Sequence, residues 1–165
     1  MLHAASVTRV IENGIKRPVL LLLENECLPA TLILTYSGIE MMAFLNMPPG
    51  KLDVTRSDFI HWADQYMTRY LPQNASHKRG IGKDLYGARC SALRATDSRL
   101  AREGHCQVIR YVTADAGDAV TIAVEELVAA FFRAIDSFLA QVLADESRAA
   151  IVTNRLGQML KTLPF

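Results

Sequence analysis

Residues 28–47 read LPATLILTYSGIEMMAFLNM, an almost unbroken apolar run that carries a single charge, Glu40, near its centre. Such a run forms either a membrane span or the central helix of a helical protein, and a carboxylate in mid-hydrocarbon is costly. Pro29 suits the first turn of a helix, where its missing N–H is no loss, and Met47-Pro48-Pro49-Gly50 ends it near Asn46. The preceding Val19–Leu23 run, VLLLL, is too short to span and is followed by Glu24 and Glu26. Both segments therefore read as buried helices. The N-terminal MLHAASVTRVIEN places charge where a secretory signal needs an apolar core. The expectation is a cytoplasmic protein with no export signal and no membrane segment.

Upstream of this run, residues from about Thr8 to Glu26 are helical in pattern, with Asn13-Gly14 and Pro18 predicted to kink the helix or split it. Downstream, Thr55 followed by Asp58 resembles a helix cap, and Phe59, Trp62, Ala63, Tyr66, Met67 and Tyr70 recur at spacings of three and four before Pro72. PQNASHKRGIG over residues 72–82 is a surface loop by its turn formers. A helix is predicted from Lys83 to Ala101, with Leu85, Ala88, Ala92 and Leu93 as its inward stripe and Gly104 as its stop. Cys106–Val112 and Ala119–Val124 read as two strands of a β-hairpin turning at Asp115–Asp118. Leu127, Phe131, Ile135, Phe138 and Val142 mark a long helix, and a last one runs from about Asp145 to Leu160. The fold class is thus mainly α: one domain over residues 1–165, a bundle of about five to six helices with a short β-hairpin.

A chain of 165 residues, half of them hydrophobic, buries a core without staples. Cys27, Cys90 and Cys106 are odd in number and widely spaced, and are expected to be reduced and buried. His3, His61, His77 and His105 include no pair at helical spacing, so no metal site is expected. Gly80-Ile81-Gly82-Lys83 is followed by Asp84 rather than Ser or Thr and follows a helix rather than a strand, so it is not a phosphate loop. No nucleophile elbow flanks Ser37 or Ser91, and no cofactor is implied.

Charge is distributed less evenly than the formal net of +1 suggests, because residues 78–110 hold eight basic residues against three acidic ones. Most of that excess belongs to solvated helix faces. Arg89 is different, since Leu85 lies four residues before it and Leu93 four after, which puts a guanidinium on an apolar stripe. A buried guanidinium needs an acceptor, and Glu40 is the candidate. The pair is either purely structural or a site of preorganised charge that binds a ligand together with Lys83, Arg94 and Arg99. In an ideal helix Arg94 sits about 140° around the axis from Arg89, so the two converge on one phosphate only near a frayed end or across a second subunit.

The apolar Ser37-Gly38-Ile39-Glu40 segment, with Arg89 in Leu85-Tyr86-Gly87-Ala88-Arg89-Cys90, resembles the HEPN superfamily over residues 28–102. That resemblance implies a helical bundle, a homodimer, and either a metal-independent ribonuclease site built from an Arg followed by a His or a module that binds RNA, nucleotides or protein partners. The position where a ribonuclease of the family carries its His is Arg94 here. A guanidinium stays protonated near neutral pH and cannot act as general base, whereas it binds phosphate well. The expectation is therefore binding of RNA or another phosphate-bearing ligand ahead of catalysis, with a protein-interaction role as the rival.

Overall fold

The structure, a computed structural model, describes residues 4–71, 81–95, 108–112 and 119–162. It is mainly helical. Helix α1 (Ala4–Ile11) continues through a π-helical turn (Glu12–Lys16) into α2 (Arg17–Glu24). The expected interruption at Asn13-Gly14 and Pro18 thus takes the form of a widened turn rather than a break. Pro18 has no N–H to bond back to residue 14 and its ring crowds that carbonyl, so the chain opens by one residue and Arg17 bonds instead to the Glu12 carbonyl, five positions back. Through this device Val7, Ile11, Ile15 and Val19 all reach the core. Lys16 on the same turn bonds to Asp136 at 2.5 Å and to Glu12 at 2.8 Å. Burial disfavours its ammonium, but these two carboxylates outweigh that and raise its pKa.

α2 ends in a Schellman arrangement, with Cys27 N–H bonding to Leu22 O and Glu26 N–H to Leu23 O. Glu26 occupies the left-handed position at φ 56°, where glycine is usual. The turn carries Cys27 out to solvent, which corrects the expectation of a buried thiol there; Cys90 is half-buried.

α3 (Leu28–Asn46) buries Leu32, Tyr36, Ile39, Met42, Ala43 and Leu45. By length and composition it is apolar enough to cross a membrane, and half of that window is buried inside the protein. Its other side, with Ile33, Leu34, Glu40, Met41 and Phe44 half-buried and Ser37 exposed, stays partly open. Gly38 lies where a Cβ would come within 2.7 Å of Phe131, so its absence lets the aromatic ring seat directly on the helix backbone.

α4 (Arg56–Tyr66) starts in a full capping box: Thr55 Oγ1 accepts from Asp58 N–H at 3.4 Å, and Asp58 accepts from Thr55 N–H at 2.7 Å. Burial pushes the Asp58 carboxyl up, but Lys51 at 2.6 Å and Thr55 more than compensate and hold it below the usual carboxylate range. A short 3₁₀ turn (Thr68–Tyr70) follows. α5 (Ile81–Ala95) packs along α4, and residues 72–80 lie outside the described part, as do residues 96–101 of the expected helix.

β1 (Val108–Val112) and β2 (Ala119–Ala123) pair antiparallel, with Arg110 opposite Thr121. The expected turn at Asp115–Asp118 lies outside the described residues. β2 runs straight into α6 (Val124–Leu143), where Val124 belongs to the helix rather than the strand and Glu126 reaches back to accept the Ala123 N–H at 3.3 Å. α6 buries Leu127, Phe131, Ile135, Phe138 and Val142, and its aromatic rings meet Trp62 and Tyr66 of α4 edge to face. After Asp145, whose Oδ1 caps the turn through Ser147 and Arg148, α7 (Glu146–Thr162) closes against α6, α3 and α1.

Candidate functional site

Three helices contribute to the surface around Arg89. Gly82 N–H at the start of α5 bonds to Asp64 Oδ1 of α4 at 2.7 Å, and a Cβ on Gly82 would fall 2.5 Å from the Ile60 carbonyl oxygen, so α5 starts directly on the α4 backbone. This close start, with Leu85 fully buried, fixes the rotation of α5 and sets Tyr86 and Arg89 at the edge of the core. Tyr86 meets Phe59 edge to face at 5.5 Å.

Arg89 Nη2 bonds to Glu40 Oε2 of α3 at 2.5 Å. The two side chains are 19% and 39% exposed, so the pair is open to water on one side and is not the closed core bridge that the apolar stripe of α5 suggests. The reason is the uncovered side of α3: Glu40 shares it with Ser37 and Phe44, one turn to either side. A half-exposed ion pair stabilises by about 1 kcal/mol or less.

A second guanidinium, which the sequence reading missed, completes the cluster. Arg56, exposed at the first position of α4, lies over the Tyr86 ring with its Cζ 5.4 Å from the centroid, and Arg89 lies over the same ring at 5.6 Å. One signal for it was present in the sequence. A cation in the first turn opposes the helix dipole, so Arg56 directly after the Thr55 cap calls for another reason to be there. Glu40 neutralises one of the two cations and leaves the cluster net positive.

The other expected site residues are placed differently. Lys83 is exposed on α5, six residues before Arg89 and about 120° around the axis. Arg94 falls within α5, but its side chain lies outside the described residues, and Arg99 lies outside them altogether. Among the described residues no group of three His, Cys, Asp or Glu side chains is arranged to hold a metal ion.

Two further arginines stand on the inner side of α7. Arg155, 4% exposed, donates from Nε to Met47 O at 2.9 Å and from Nη2 to Pro48 O and, at 3.0 Å, to Lys51 O. Burial lowers its pKa, with the field of Asp58 acting in the opposite sense. Arg148 donates to Tyr66 Oη at 2.6 Å, Asn46 Oδ1 at 2.7 Å and Gln141 Oε1 at 3.1 Å. Both tie helix ends together. An apolar groove of about 410 Å³, lined by Phe44, Leu52, Gln158 and Met159, continues the open side of α3 toward α7.

Gly87 of α5 faces solvent, and a Cβ there would meet nothing within 4 Å. Gly87→Ala is expected to stabilise the protein by about 0.5–1 kcal/mol by removing backbone entropy from a helix interior. The rise in urea midpoint measures it. A loss of stability would show that the glycine serves a contact on this face.

No protein-family profile matches the chain, and neither curated proteins nor solved structures give a match.

Proposed function

We propose that this chain is a HEPN-like helical bundle of about five to six helices with a short β-hairpin, which binds RNA or another phosphate-bearing ligand at the Arg56–Tyr86–Arg89 surface without catalysing its cleavage. The observation that carries the reading is the pair of guanidinium groups set over one half-buried tyrosine ring, with only one of them engaged by a carboxylate among the described residues. Guanidinium groups bind phosphate through paired N–H donors, and a ring backing them limits the rotamers they explore. Arg94, five residues after Arg89, supplies charge to the same helix but no general base. The proposed unit is a cytoplasmic homodimer. Supporting a self-association face are Leu20 and Leu21, 44% and 60% exposed on α2, a helix that packs against α3.

The test is binding of a labelled single-stranded RNA at two salt concentrations. About two or three phosphate contacts predict roughly tenfold weaker binding between 50 and 200 mM salt. Arg56→Ala combined with Arg89→Ala is expected to weaken binding about tenfold or more at low salt and to flatten the salt dependence. No affinity at low salt, or affinity unchanged in the double variant, removes the proposal.

A further inference from the structure

A carboxylate paired with Arg89, in a cluster that also holds Arg56, is an electrostatic cost to any anion that binds there. If the site binds phosphate, Glu40 lowers the affinity, and its use must lie in discrimination between ligands rather than in attraction. Its geometry provides the means. Oε2 is engaged by Arg89 at 2.5 Å, Oε1 has no partner among the described residues, and the side chain is 39% exposed. An ionised carboxylate only accepts hydrogen bonds, so the free oxygen selects a donor on the ligand. Among the described residues Arg89 engages Glu40 through Nη2 alone, so its remaining N–H groups have no carboxylate partner there and phosphate is a fitting acceptor for them. A ligand held there then presents an anion to the guanidinium and, one guanidinium width away, a hydroxyl to the carboxylate. A phosphate with a neighbouring hydroxyl is what a ribonucleotide offers and a deoxyribonucleotide lacks.

Resting on the phosphate-binding reading above, we infer that Glu40 is the specificity-determining residue of this surface, accepting the ribose 2′-hydroxyl through its free oxygen and so selecting RNA over DNA. The experiment compares the wild-type protein and Glu40→Ala with single-stranded RNA and DNA of one sequence at low salt. A charge-assisted hydrogen bond to the hydroxyl gives the wild type about a tenfold or greater preference for RNA. In Glu40→Ala that ratio falls to near one, while DNA binds more tightly than to the wild type because the repelling charge is gone. The pair is half-exposed, so the variant is expected to fold. Should it not, Glu40→Gln, of the same size, carries the test and lowers the ratio. Equal affinity of the wild type for RNA and DNA, or a ratio kept in the variants, overturns the inference and leaves phosphate binding standing. Affinity for neither strand overturns both.

Discussion

Replacing Arg155 by methionine is expected to destabilise the protein by about 3 kcal/mol, which for a chain of this size corresponds to a fall in melting temperature of roughly 6–12 °C. Methionine fills much of the same volume, so the loss isolates the hydrogen bonds rather than a cavity. The guanidinium is buried and its acceptors are the backbone carbonyls of Met47, Pro48 and Lys51, on the segment where the chain leaves α3. The last carbonyls of a helix have no intrahelical donor, and a cation placed at that end also complements the helix dipole. Without Arg155 these oxygens lose their donor, and Phe44, whose ring centroid lies 5.0 Å from the guanidinium carbon, loses its cation–π contact. Thermal melting followed by circular dichroism measures the change. A loss below about 1 kcal/mol would mean that water satisfies the turn and that the arginine is dispensable.

Gly82→Ala is expected to have a comparable effect, about 3 kcal/mol, although alanine is the better helix former. The new Cβ would sit 2.5 Å from the Ile60 carbonyl oxygen and 2.9 Å from the Ile60 Cα. Both are backbone atoms of a helix whose face is packed, so no side chain can rotate away to make room. α5 must lift from α4, which stretches the 2.7 Å bond from Gly82 N–H to Asp64. The displacement carries Tyr86 and Arg89 with it. Urea unfolding measures the stability, and RNA affinity is expected to drop in the same variant. Gly87→Ala, on the open face of the same helix, is the control: the two substitutions are chemically identical and are expected to have opposite signs. A neutral Gly82→Ala would show that the α4–α5 contact is adjustable.

The parts legible in the sequence are those set by short-range pattern. Pro29 and the Met47-Pro48-Pro49-Gly50 stop delimit α3, Thr55 and Asp58 announce α4, and the Leu127-to-Val142 stripe marks α6, because each signal is contained within a few turns of chain. Glu40 and Arg89 stand out for the same reason, each being a charge among apolar neighbours, and the structure sets them 2.5 Å apart. How open their pair is was not legible, since that depends on what fails to cover α3. Arg155 was overlooked although it stands on an apolar stripe with Val152 and Leu156, much as Arg89 does with Leu85. Its acceptors are main-chain carbonyls, which every residue possesses, so no side chain elsewhere in the chain points to it. Gly82 reads as a loop glycine before a helix, and only the approach of the Ile60 backbone shows why no larger residue fits. Arg56 needed the position of Tyr86 as well as the dipole argument.

The widened turn at Glu12–Lys16 also bears on how this chain should be compared with others. A π-helical turn holds one residue more than the α-helical turn it replaces, and here the turn absorbs that residue while Val7, Ile11, Ile15 and Val19 all face the core. Chain length is therefore a free variable at this point. A relative with one residue fewer near Gly14 would build the same first helix as plain α, and in an alignment its single-residue gap belongs inside the helix rather than in a loop.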